Sequence, residues 1–131
     1  MRYDLRSVVR IAIVAPIVAL LASQVFALDD IGLPIHPNAI PSSIVRKSGK
    51  GEGTQWLQVN FRAKAPYDQV VRFYRKKTGR NVQISKLDSG KLLNTLILFA
   101  KSPEDQINVN ISGEVGKNVT EVEISRNRGG L

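Results

Sequence analysis

The chain has 131 residues, with 19 Lys and Arg against 11 Asp and Glu, one His, no Cys and a formal net charge of +8. That length bounds it to one domain, and a composition 43% hydrophobic and 23% charged excludes wholesale disorder. The missing cysteines exclude disulfides, Cys-ligated zinc, iron–sulfur clusters, thiol catalysis and a lipidated N-terminal Cys, and a single His removes most His-based metal sites.

Residues 1–27 read as an export signal. Arg2, Arg6 and Arg10 give a positive start, and residues 11–21 are an unbroken apolar run. That run is shorter than the roughly 20 residues a membrane span needs. Ala22-Ser23-Gln24 is more polar, and Val25-Phe26-Ala27 places residues that a signal peptidase accepts at its cleavage site. Cleavage is expected after Ala27, which puts the folded part in the periplasm or outside the cell. The alternative is an uncleaved inner-membrane anchor whose apolar stretch reaches Leu28. Cleavage removes 27 residues, among them three Arg and one Asp, and so leaves 104 residues at a charge of +6.

Residues 28–54 read as a proline-rich arm and flexible linker. Pro34, Pro37 and Pro41 push the residues before them to extended geometry, and SGKGEG (48–53) is turn-like. Ile31, Leu33, Ile35 and Ile40 are apolar, so part of this arm is expected to lie along the body. Residues 55–63 alternate, with Leu57, Val59, Phe61 and Ala63 on one face and Gln58, Asn60 and Arg62 on the other. This predicts a half-buried strand.

Residues 66–78 switch to helical period. Pro66 suits the first helical position, and Asp68 complements the helix dipole in the first turn. Tyr67, Val70, Val71 and Tyr74 form the apolar stripe. Arg75, Lys76 and Lys77 crowd the last turn, and Gly79 is the expected stop. Beyond it, strands are predicted over 82–87, 92–100, 106–112 and 119–126, separated by Gly- and Pro-bearing turns. Short connections imply antiparallel hairpins. The expected fold class is α+β in the order β-α-β-β-β-β. A single antiparallel sheet over 55–126 carries one helix on one face, and a frayed tail occupies 127–131.

The chemistry such a chain offers is limited. His36 lies between two prolines with no carboxylate at helical spacing, so it reads as structural and not as a ligand. No serine sits in a nucleophile elbow. Glu121 and Glu123 share a strand face, but that pattern fits a solvated face better than a catalytic pair. No enzyme activity, cofactor or metal is expected.

Two features remain. Arg72, Arg75 and Lys76 fall opposite the apolar stripe of the helix. They are either its wet face or a site for an anionic envelope component, such as lipid phosphates, a polyanionic wall polymer or an acidic protein. Nucleic acid is the weakest candidate partner, since export separates the protein from it. Trp56 shares the strand face of Gln58 and Arg62. It is either covered by a flanking segment or, with Arg62, contacts a ligand by stacking.

PIHPNA (34–39) and VVRFYRKK (70–77) resemble the P-x-Y-P-x-A opening and the V-x-x-F-Y-R-K helix of a group of small exported bacterial proteins. His36 stands where that group has Tyr, and Asn38 where it has Gly. The resemblance implies export and an α+β domain and transfers no catalytic residue. The function expected is that of an exported, non-enzymatic binding or accessory domain of the cell envelope. The runner-up is an assembly protein that joins partners by an exposed strand edge, and a hydrolase ranks third. Ligand identity and oligomeric state stay open.

Overall fold

A computed structural model of the protein describes residues 31–129. The expected export segment and its cleavage site lie outside the described residues. Seven elements follow the arm and a short 3-10 turn at Pro41–Ser43. They are β1 (Val45–Gly51), β2 (Thr54–Ala63), α1 (Tyr67–Thr78), β3 (Gln83–Lys86), β4 (Leu92–Ser102), β5 (Asp105–Glu114) and β6 (Thr120–Gly129).

The fold class is α+β: one antiparallel six-stranded sheet and one helix. Two expectations are corrected. First, a strand was missed. Residues 45–51 form β1, paired with β2 through a turn at Glu52-Gly53 where Gly53 takes a φ of 67°. The chain order is therefore β-β-α-β-β-β-β, and SGKGEG belongs to a hairpin and not to a linker. VRKSGKG hides its strand character because every residue but Gly49 is exposed, so no apolar alternation marks it.

The four strands after the helix pair in sequence as the expected antiparallel hairpins, and the full sheet order is β1-β2-β6-β5-β4-β3. Helix α1 carries the chain across to the far edge, and β3 to β6 then return strand by strand until β6 meets β2. Val59 lies opposite Ile124 and Phe61 opposite Val122, so two apolar faces find each other in register. Second, β6 reaches Gly129, so residues 127–129 are paired strand and not frayed tail.

The helix forms where its period demanded. Pro66 sits one residue before the first helical position with extended geometry (φ −64°, ψ 153°). Gly79 stops it at a φ of 84°, and its N–H donates to the Arg75 carbonyl at 3.1 Å. Tyr67, Val70, Tyr74 and Thr78 are buried, and the helix packs over β4 and β5. Gly113 allows the close approach, since a Cβ there would stand 3.2 Å from the Cβ of Tyr67. The Tyr67 hydroxyl also bonds the hydroxyl of Thr95, a buried polar group on β4.

The arm completes the same layer. Ile31 and Leu33 are buried with Val59, Ile107, Val109 and Ile124. Tyr74 donates its hydroxyl to the Pro34 carbonyl at 2.9 Å. Ile40 N–H donates to the Arg62 carbonyl, and Lys64 N–H to the Asn38 carbonyl, so the arm extends the sheet beside the end of β2. One side of the sheet thus carries α1, the arm and the core. Among the described residues, neither the helix nor the arm covers the other side.

Candidate functional site

Strand periodicity decides what the open face displays. The core claims Val59 and Phe61 on β2, Ile107, Val109 and Ile111 on β5, and Val122 and Ile124 on β6. Their neighbours in sequence must point outward. Register places these outward residues in rows across the sheet.

One row runs Trp56, Asn127, Gln106, Ala100. The next runs Lys47, Gln58, Ser125, Asn108, Leu98, Gln83. A third runs Asn60, Glu123, Asn110, Leu96, Ser85. A fourth runs Arg62, Glu121, Ser112, Asn94.

Side-chain amides dominate this face, and several are already bonded to one another. Asn94 Nδ2 donates to Asn110 Oδ1 at 2.8 Å and to Ser112 Oγ at 2.9 Å. Gln58 Nε2 donates to Asn60 Oδ1 at 3.2 Å. These residues are half-buried, so their amides are held in place while still reachable from solvent.

Hollows open on this face. One, of about 500 Å³, is lined by Gln83, Leu98, Ala100, Gln106 and Asn108 together with Arg80, Asn81, Val82 and Phe99. Another, of about 230 Å³, is lined by Asn60, Arg62, Asn110, Ser112, Glu121 and Glu123, with Ser43 at its margin.

Trp56 stands at the corner of this face and is 39% exposed. The proline arm does not cover it, since that arm packs on the helix side. Its indole leans instead across β1 at Gly49, its partner in register. A Cβ at position 49 would stand only 2.5 Å from Trp56 Nε1. Gly49 is therefore the vacancy that the indole fills.

Arg62 lies on the same open face but three rows away, opposite Glu121. Trp56 and Arg62 thus share a surface and not a single pocket. Glu121 and Glu123 are exposed on either side of Val122. The hollow that they line is also lined by Arg62.

Arg72, Arg75 and Lys76 are exposed on the outer side of α1. Among the described residues they enter no ion pair. Lys77 places its Nζ 5.4 Å from the centre of the Phe73 ring. The helix cations and the Trp56 face are separated by the whole thickness of the domain, so they cannot serve one ligand.

His36 is buried against α1. Its Nδ1 accepts the Asn38 N–H at 3.0 Å, and its ring meets Phe73 edge-on at 4.7 Å between centroids. Burial lowers its pKa. Among the described residues no three His, Asp or Glu are grouped to hold a metal.

The sequence singled out Trp56 and Arg62 as candidates but not Gln106, Asn108, Asn110 and Asn127. Their signal is the recurrence of Asn and Gln at outward strand positions. The chain matches no family model, and neither a curated protein nor a solved structure matches it.

Proposed function

We propose that this protein is an exported, non-enzymatic binding domain of the cell envelope and that its ligand lies on the open sheet face. The composition of that face carries the reading. Among polar residues Thr is enriched in strands, Glu and Lys are depleted only to a lesser degree, and Asn is among the most depleted. Asn60, Asn94, Asn108, Asn110 and Asn127 all occupy outward strand positions here. A local preference broken five times on one surface marks recognition more readily than folding. The signal-like pattern of residues 1–27, a basic start followed by an apolar run, supports the envelope as the place where that ligand is met.

The test is retention of the purified protein on an envelope fraction. Asn110→Arg places a long cation in the middle of the face and should abolish retention. The triple variant R72E/R75E/K76E should leave it intact. The opposite pattern, with retention lost in the helix variant and in high salt, would move the site to α1 and an anionic partner.

A second reading rests on the β3 edge. β3 pairs only residues 83–86 with 95–98, while β4 continues to Ser102. The stretch of β4 beyond Leu98 is thus free to accept a partner strand. A stoichiometric protein that co-purifies through high salt and is lost on Ala100→Pro would favour assembly.

A further inference from the structure

The open face is not uniform, and its two halves differ in charge. The rows through Arg62 and Asn60 contain Arg62, Glu121 and Glu123. The rows through Trp56 and Gln58 hold amides, Ser125, Ala100 and Leu98, with charge only at their ends, Lys47 on β1 and Arg80 at the hollow beyond β4. In a chain with 23% charged residues, a neutral tract four strands wide is a specific arrangement.

Building on the reading of this face as the ligand surface, we infer that the neutral half binds an uncharged glycan chain, with Trp56 as its stacking platform. Three features converge on that chemistry. An aromatic side chain held by its surroundings offers a broad apolar surface at little entropic cost, which suits the C–H face of a pyranose. The Trp56 indole is held in this way, lodged against Gly49 where a Cβ would clash at 2.5 Å, yet 39% exposed.

Amides supply both a donor and an acceptor without charge, which matches hydroxyl groups. Asn127 and Gln106 follow Trp56 directly across β6 and β5. The row then opens into the hollow of about 500 Å³ beside Gln106 and Asn108. From β2 to β4 the tract spans about 14 Å at the usual strand spacing, which is room for several linked sugars and excessive for one. An anionic polymer would meet cations only at the two ends of the tract, Lys47 and Arg80.

Trp56 is the single Trp of the chain, so its fluorescence reads the site directly. The probes are the neutral hexamer of N-acetylglucosamine, cellohexaose, heparin and a neutral extended peptide. At least one neutral oligosaccharide should shift Trp56 emission saturably, with an affinity that raised salt leaves nearly unchanged. Trp56→Ala, read by calorimetry, should weaken binding about ten-fold or more, and Trp56→Phe should retain part of it. Asn127→Arg keeps the indole and blocks the row, so it should also weaken binding about ten-fold if Trp56→Ala fails to fold.

Binding of neither neutral oligosaccharide would overturn the inference, as would equal binding by Trp56→Ala and Asn127→Arg. Salt-sensitive binding of heparin alone, or binding of the peptide alone, would overturn it too. Envelope retention that is lost in Asn110→Arg while both neutral oligosaccharides fail would sink the glycan and leave the open face standing.

Discussion

Removing one hydroxyl, in Tyr74→Phe, tests whether the PIHPNA segment is a structural clasp. Tyr74 is fully buried, and its hydroxyl donates to the Pro34 carbonyl at 2.9 Å, across 40 residues of chain. The substitution keeps the ring and its edge-on contact with Phe73 at 4.9 Å between centroids. Pro34 lies at an exposed position, so water can replace the lost donor at its carbonyl. The cost then stays near the net value of one neutral hydrogen bond, about 1 kcal/mol. For a domain of this size that lowers Tm by about 4–8 °C. Tyr74→Ala removes the ring as well and should cost about 3–5 kcal/mol. Urea unfolding of both variants, followed by circular dichroism, measures the two losses, with an unchanged m-value for Tyr74→Phe. No loss in Tyr74→Phe would show that the arm is not tied through this bond. A loss above about 3 kcal/mol would show that the carbonyl is left dry, which contradicts the exposure argument.

Three further outcomes follow from the same geometry. Burial lowers the pKa of His36 from 6.5, so its contribution to stability is complete above pH 6.5 and falls as pH drops below it. The Arg126 guanidinium, bonded to Asp105 at 2.8 and 2.7 Å, lowers that carboxyl from 3.8 and adds a second loss as pH falls below 3.8. Burial raises the pKa of Tyr74 above its usual 10.0, so stability falls again above pH 10. Urea midpoints against pH read all three limbs, and a curve flat from about pH 7 to about pH 5 would contradict the His36 limb. Gly49→Ala places a Cβ where the Trp56 indole lies, so Trp emission should move to the red. Stability should change little, because lost packing is offset by the strand preference over Gly; unchanged emission would refute the close approach. Finally, R72E/R75E/K76E puts two acids, at positions 75 and 76, in the last turn of α1 and should cost about 1–2 kcal/mol at low salt and less at high salt, read as Tm.

Much of this architecture was legible where one period ruled a segment. The alternation over 55–63 became β2, and the helical spacing over 66–78 became α1, each within about two residues of its bounds. β1 was not legible because an edge strand that buries nothing carries no apolar period, and its Gly49 serves a side chain on another strand. The position of β6 was not legible for a different reason. Pairing of β2 with β6 joins residues more than fifty positions apart, and nothing local in either strand names its partner. The open face lay between these cases. Outward Asn and Gln were visible in the sequence, but only register shows that those of four strands fall side by side.

Where the surplus charge sits bears on what the open face can do. Arg46, Lys47 and Lys50 line the exposed edge strand β1, and Lys86 ends β3 at the other edge. Cations there keep a second sheet from adding to an unpaired strand. Arg75, Lys76 and Lys77 close α1, where they complement its dipole. Much of the basic excess is thus accounted for by edges and a helix end, before any ligand is invoked. The tract between Trp56 and the hollow beyond β4 is spared that charge, so a net charge of +8 does not make salt-sensitive binding the expectation for this surface. A basic protein whose envelope retention survives high salt is the signature that this separation of charge from recognition requires.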